Sequence, residues 1–296
     1  MSVHRRLARP LIFIGPGRSG STVISEAVFA HEQLGWPSNY LEYRPHSPWV
    51  NLVQRLFDND LWRLVGEKSQ LNRTRQLNTL LPRPAEAYPF WAALTGPDVD
   101  FARGFLLDER PTPVVRARVR RKLQRMLAWQ GKTRLGMKFT GPGRVGYLAA
   151  LFPDARFVNV VRDPVATVQS LLKVPFWAHL GMHRLWWTGA YNESELAAYE
   201  TLRDDPVAST AFQLGKILRT TREEAARCGV QMLTLRYEDF VAQPQATVSQ
   251  VLDFADLPES AWIDRKLAGM PVHDRNRGSI LSAAQIDTVE TLALQT

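Results

Sequence analysis

The run Gly15-Pro16-Gly17-Arg18-Ser19-Gly20-Ser21-Thr22 carries the residue types that hold a phosphate or a sulfate. Glycines let a backbone turn tightly, so that successive N–H groups and the start of a following helix point at one anion. The hydroxyls of Ser19, Ser21 and Thr22 add donors, and Arg18 offers a planar fork of N–H groups. The spacing meets the nucleoside-triphosphate pattern G-x-x-x-x-G-K-[ST] at Gly15, Gly20 and Thr22, with Ser21 in place of the lysine. That lysine reaches the outer phosphates of ATP or GTP, so this loop is expected to hold a different anion, with Arg18 as the nearest cation. A plain glycine turn between strand and helix is the competing reading. A second cluster is Arg162-Asp163-Pro164, with Ser170 two helical turns further on. Arg162 and Ser170 either bracket a second phosphate, or form a salt bridge to Asp163 beside a serine bonded to its own helix.

Both clusters fall at strand ends. Residues 11–15 read as a short apolar strand and 21–31 as a helix opening off the loop, with the chain leaving it near Gly35. Residues 135–139 and 157–161 are strand-like, 145–151 and 164–174 helical, the latter with proline in its first turn where the missing N–H costs nothing. Residues 212–229 form a long helix ended by glycine, 232–235 a strand and 244–255 a helix. Apolar strands alternating with helices predict an α/β protein, a parallel β-sheet flanked by helices, with ligands beyond the carboxyl ends of the strands. Residues 1–296 are expected to form a single domain. The proline-rich, aromatic segment 80–113 is expected to be an insertion on the substrate side, and 176–191 is a second aromatic stretch.

The chain has 296 residues, 45% hydrophobic and 22% charged, enough for one large core. No stretch approaches the ~20 apolar residues that cross a bilayer. Arg5, Arg6 and Arg9 ahead of apolar residues 11–14 superficially resemble a secretory leader, but the run is short and ends in the glycine turn, so it reads as the first core strand. The single cysteine, Cys228, leaves no internal disulfide and suits a cytoplasmic setting. The net charge is +8, and Arg116, Arg118, Arg120, Arg121, Lys122 and Arg125 fall in one run. Val115, Val119, Leu123 and Met126 mark that run as an amphipathic helix whose basic face is solvated by default or binds a polyanion. Nothing in it resembles a nucleic-acid module, and no nucleic-acid partner is expected. His179 and His183 lack a carboxylate in metalloprotease spacing, so no metal is expected.

Together the two clusters resemble the sulfotransferase family that uses 3′-phosphoadenosine 5′-phosphosulfate (PAPS). In that family a loop like P-[RK]-S-G-[TS]-[TS] cradles the 5′-phosphosulfate, and here Gly17-Arg18-Ser19-Gly20-Ser21-Thr22 matches it, with glycine for proline at 17. The family's R-D-P followed by a serine eight residues after the arginine binds the 3′-phosphate, and Arg162, Asp163, Pro164 and Ser170 have that spacing. Residues 136–139 with 152–156, and 235–240 with Pro244, are similar to two further family elements, although Phe139 stands where threonine follows the lysine. The resemblance spans roughly residues 11–30, 135–175 and 230–258. It implies the P-loop-containing nucleotide-hydrolase-like (sulfotransferase) fold.

The resemblance further implies transfer of a sulfuryl group to a hydroxyl of a small-molecule, lipid or carbohydrate acceptor, with PAPS as co-substrate and adenosine 3′,5′-bisphosphate (PAP) as product. It places Tyr237 near the adenine, with an ordinary core position as the competing reading, and Arg275, Arg277 and Gly278 in a loose echo of a glycine-rich 3′-phosphate segment. Charge grows on the leaving phosphate, so Arg18, with Lys138 as a second cation, is expected to stabilise the transition state. A hydroxyl acceptor needs a base; Glu42 is the expected one, with His31, Glu32 and His46 as alternatives, and pairing with Arg44 the competing role for Glu42. His31 is otherwise expected to close the first helix as a cation. The alternative activities are a P-loop small-molecule kinase or phosphotransferase, disfavoured by Ser21, and a non-enzymatic polyanion-binding module resting on the basic helix.

Overall fold

The computed structural model describes residues 7–59, 61–68, 80–272, 276 and 278–294. Five parallel strands make one sheet: β1 (Leu11–Ile14), β2 (Leu34–Gly35), β3 (Arg134–Lys138), β4 (Arg156–Val161) and β5 (Gln231–Arg236), in the order β2-β3-β1-β4-β5. The central strand shows why the fold is layered. All four β1 residues are fully buried; Leu11 and Phe13 enter one core with Val158 and Val160, while Ile12 and Ile14 enter the other with Met137 and Phe157. A strand apolar on both faces must be covered by helices on both sides.

Seven helices are needed below. They are α1 (Ser21–Val28), α2 (Tyr88–Thr95), α3 (Pro113–Gln130), α4 (Val145–Leu151), α5 (Pro164–Leu172), α6 (Pro206–Cys228) and α7 (Tyr237–Ala242). The α/β expectation holds, and helix 145–151 has the expected bounds. The first helix is shorter than expected: it stops at Val28, and Leu34-Gly35 is already an edge strand paired with Arg134-Leu135. Phe29 ends it by turning its ring into the core, 5.5 Å edge-on from Phe13 and over Gly136. Helix α6 begins at Pro206, six residues before the expected start at 212, because Asp205 accepts hydrogen bonds from the N–H groups of Val207 and Ala208.

The aromatics of residues 80–113 and 176–191 build core. Trp91 stacks on Phe101 at 5.2 Å and meets Phe139 edge-on at 5.2 Å. Trp177 and Trp187 lie 5.2 Å apart in a smaller cluster with Phe105.

Candidate active site

The glycine loop leaves β1 and enters α1 with its first turn open. The residue before the helix, Gly20, is left-handed (φ 87°) and provides no side-chain cap, and no acid stands in the first turn. By contrast, α5 is closed by Asp163, whose Oδ1 accepts the Ala166 N–H at 2.7 Å. The uncapped N–H groups and the positive end of α1 therefore face the loop's interior. Arg18 is held left-handed at φ 69°, a strained backbone for a non-glycine residue. Ser19 is wholly buried, and its hydroxyl has no hydrogen-bond partner. A buried hydroxyl without a partner inside a ring of N–H donors fits an anion bound there.

Two glycines of the loop have opposite constraints. A Cβ on Gly20 would lie 2.2 Å from the Tyr237 ring, whereas a Cβ on Gly17 meets Leu171 and Thr140 at an ordinary 3.5 and 3.7 Å. Gly20→Ala is expected to destabilise the fold by about 2–4 kcal/mol, from overpacking and a left-handed alanine. Gly17→Ala should be neutral or stabilising by up to ~1 kcal/mol through the unfolded chain. Urea unfolding of both variants checks the pair, and equal midpoints would show that Tyr237 does not set the loop's shape.

The two sequence clusters meet. Arg18 Nε donates to Ser170 Oγ at 3.0 Å, and Arg162 Nη1 donates to the Arg18 carbonyl at 3.1 Å. No ion pair joins Arg162 to Asp163; Asp163 caps α5 instead. Arg162 Nε donates to Asn276 Oδ1 at 2.7 Å, and its guanidinium lies 5.0 Å above the Tyr237 ring. Glu238 Oε1 in turn accepts the Asn276 amide at 2.7 Å and the Asp163 N–H at 3.0 Å. Burial raises the pKa of this carboxyl, but these hydrogen bonds and Arg236 outweigh it and hold the pKa below the usual range. Tyr237 is buried between Gly20 and Arg162, where it supports both. Gly278 lies nearby in the chain fold, its carbonyl accepting from Gln169 Nε2 at 3.0 Å, while Arg275 and Arg277 lie outside the described residues.

On the other side of the loop stands Lys138, at the carboxyl end of β3 and opposite Phe13 in register. Its buried Nζ donates to Thr22 Oγ1 at 3.0 Å and to Glu86 Oε1 at 2.5 Å. Thr140, two positions after Lys138, also donates to Glu86 Oε1. Lys68 Nζ lies 3.9 Å from the same carboxylate. Burial pushes the Glu86 carboxyl up, yet Lys138, Lys68 and the two hydrogen bonds prevail and lower its pKa to about 2.

Glu86 joins this cluster although sequence reasoning did not single it out. Glu42 sits half-buried in the short helix Tyr40–Tyr43, and no hydrogen bond or ion pair links its carboxylate to Arg44 or to any other described residue. His31 corrects another expectation: it is fully buried rather than a cationic helix end. Its Nδ1 accepts the Gln33 N–H, so Nε2 carries the proton to the Pro258 carbonyl. Burial lowers its pKa, and the ring is neutral. Glu32 is engaged by the Ser260 hydroxyl, and His46 is exposed.

A model of the sulfotransferase family (Sulfotransfer_3) matches residues 10–263, from the strand before the loop to beyond Tyr237. The chain belongs to the sulfotransferase family. Curated relatives are the omega-hydroxy-beta-dihydromenaquinone-9 sulfotransferases Stf3 of Mycobacterium bovis and Mycobacterium tuberculosis. Each is 23% identical over 256 residues, covering 82% of this chain and 61% of the relative. The chain thus spans about three fifths of the length of the curated relatives it matches. Among solved structures, sulfotransferase STF9 from Mycobacterium avium superposes with a TM-score of 0.58 at 18% identity, over 98% of this chain and 76% of that one. Sulfotransferase STF1 from Mycobacterium tuberculosis H37Rv gives 0.52 at 17% identity, over 99% and 78%. These superpositions show the shared fold, which is the P-loop-like sulfotransferase fold expected from the two motifs. Among the described residues of this family member, no helix is long and apolar enough to cross a membrane.

Proposed function

We propose that this sulfotransferase-family chain moves the sulfuryl group of PAPS to a hydroxyl of a small-molecule, lipid or carbohydrate acceptor, releasing PAP. The observation that carries this reading is the junction of the two anion clusters, Arg18 on Ser170 and Arg162 on the Arg18 carbonyl. One donor with phosphates at its 5′ and 3′ positions accounts for both clusters, whereas a nucleoside triphosphate leaves Arg162 and Ser170 without a role. The unpartnered Ser19 hydroxyl and the open end of α1 fit the 5′ group. A relative named for a hydroxylated acceptor supports a hydroxyl as the group sulfated, and the single cysteine supports a cytoplasmic setting.

Each residue then has a definable task. The loop N–H groups and the start of α1 hold the 5′-phosphate. Arg18 and Lys138 flank the loop and offset the charge that grows on the departing phosphate oxygen as the bond to sulfur breaks and the acceptor oxygen bonds to sulfur. Arg162 and Ser170 hold the 3′-phosphate, with Asn276 and Glu238 fixing the guanidinium. Glu86 orients Lys138 and offers the carboxylate oxygen at hand for the acceptor hydroxyl. A carboxylate of such low basicity suffices because the hydroxyl becomes strongly acidic only as its oxygen bonds to sulfur.

Titration calorimetry tests the donor assignment. PAP is expected to bind in the micromolar range or tighter, and ATP at least ~100-fold more weakly, a difference of about 2.7 kcal/mol. Tight ATP binding with no affinity for PAP would favour the phosphotransferase alternative and sink this reading.

A further inference from the structure

The 3₁₀ turn Pro48–Val50 runs into a short helix, Asn51–Phe57, and together they form an inverted amphipathic segment. Its inward face is polar: Asn51 and Gln54 are fully buried, and their side-chain oxygens accept from Gln130 Nε2 at 3.0 Å each. Its outward face is apolar: Trp49, Leu52, Val53 and Leu56 recur at helical spacing and are 59%, 51%, 39% and 67% exposed. The turn that follows extends the same surface with Leu61 and Trp62, 81% and 49% exposed, and Trp62 Nε1 donates to the Leu56 carbonyl at 2.8 Å, tying the turn to the helix. Scattered apolar side chains on a surface need no explanation, but six in one contiguous face do.

This face adjoins the basic helix. Residues 51–57 pack against α3 through Gln130, and the Arg55 guanidinium lies over Gly131 just past the end of α3. Helix α3 exposes Arg116, Arg121 and Arg125, while Arg44 and Arg55 are exposed beside or within the apolar stripe. Residues 43–57 and 111–132 contain no acidic residue; of the acids that flank this stretch, Glu42, Asp58 and Asp60, Asp58 is buried in ion pairs with Arg63 and Lys132. A tryptophan-bearing apolar face on which arginines outnumber acids is the composition that seats at the boundary between anionic headgroups and acyl chains. A second copy fits poorly, because a two-fold contact would set the same arginines against each other.

We infer that the face carrying Trp49, Leu52, Val53, Leu56, Leu61 and Trp62 docks on an anionic lipid bilayer, with the arginines of α3 meeting its headgroups. The inference is independent of the donor assignment. Flotation with vesicles tests it, comparing phosphatidylcholine alone with a 70:30 mixture of phosphatidylcholine and phosphatidylglycerol (about 30% anionic lipid, a strongly negative surface). Partitioning onto the anionic vesicles is expected to be at least ~10-fold stronger and to weaken in high salt. Leu52→Ser/Leu56→Ser is expected to lose ~10-fold or more of that binding, and Arg121→Gln/Arg125→Gln a comparable share. Both variants should melt close to the parent chain, since the altered side chains are exposed. Equal partitioning on both vesicle types, or full binding by the well-folded serine variant, would overturn the inference. So would a dimer in vesicle-free sedimentation that Leu52→Ser/Leu56→Ser dissolves, which would give the face to a second copy.

Discussion

Lys138→Met is expected to cut turnover by ~10²–10³-fold and to loosen the fold, and a second change, Glu86→Gln, is expected to restore the fold alone. The single variant leaves Glu86 as a carboxylate, largely buried, without the ammonium 2.5 Å away. Breaking such a pair from one side costs up to about 3–5 kcal/mol, because a largely buried charge stays behind with only the more distant Lys68 opposite it. Removing both charges leaves neutral groups that Thr140 can still bond, so the double variant should recover most of that loss in urea unfolding. Turnover should not recover, because the cation beside Thr22 is still missing; a loss of ~10²–10³-fold is the usual consequence of deleting one such stabilising donor. Four chains, each measured for unfolding midpoint and initial rate, separate the two roles. If the double variant turned over at the parent rate, Lys138 would be a structural residue only.

The same pair sets an acid limb. The Glu86 carboxyl has its pKa lowered from 4.5 to about 2, so the folded state favours its ionised form. The stabilisation is fully present above the unfolded value near 4.5 and disappears as pH falls through about 2. That difference corresponds to roughly 3 kcal/mol. Glu86→Gln should therefore show a flatter stability profile than the parent chain across that window, and its deficit should shrink as the parent's carboxyl protonates.

What could be read from the sequence was whatever lies close along the chain. The loop at residues 15–22 is a local pattern, and β1 and β4 are apolar runs that the structure buries on both faces. Arg162 and Ser170 lie just before the start and near the end of one helix, so the idea that they act together came from local spacing. That Arg18 would bond Ser170 followed only once β1 and β4 were known to be neighbours. Glu86 was invisible because no spacing relates it to Lys138; it arrives through the entry to α2, whose aromatics are drawn into the core. One physical signal was there: a lysine at the end of a buried strand must find an opposite charge. Glu42 answered a different signal, proximity to the first helix, and that helix ends early at Phe29. Asn276 was hidden between two arginines that looked more like anion ligands, although it is the residue that grips Arg162. The basic run at Arg116–Arg125 was legible as a helix, but its neighbour with the apolar exterior was not, because the two share no sequence pattern.

Arg162→Ala should weaken PAP binding by ~10–100-fold, the range expected for losing charged hydrogen bonds to one phosphate. The informative comparison is with adenosine 5′-monophosphate, which lacks the 3′-phosphate. Arg162 bonds both Asn276 and, at the loop, the Arg18 carbonyl. If its role is to bind the 3′-phosphate, the monophosphate should bind parent and variant within about twofold, and the parent's preference for PAP should vanish. If its role is only to brace the loop, both ligands should weaken together. Asn276→Ala then grades the effect: the guanidinium remains but loses the 2.7 Å bond that aims it, so PAP affinity should fall by less, roughly 3–10-fold, the size of one ordinary hydrogen bond, since the charged contact to the phosphate stays. A variant of Arg162 that left PAP affinity unchanged would remove the 3′-phosphate from this end of the sheet, whatever the enzyme's reaction.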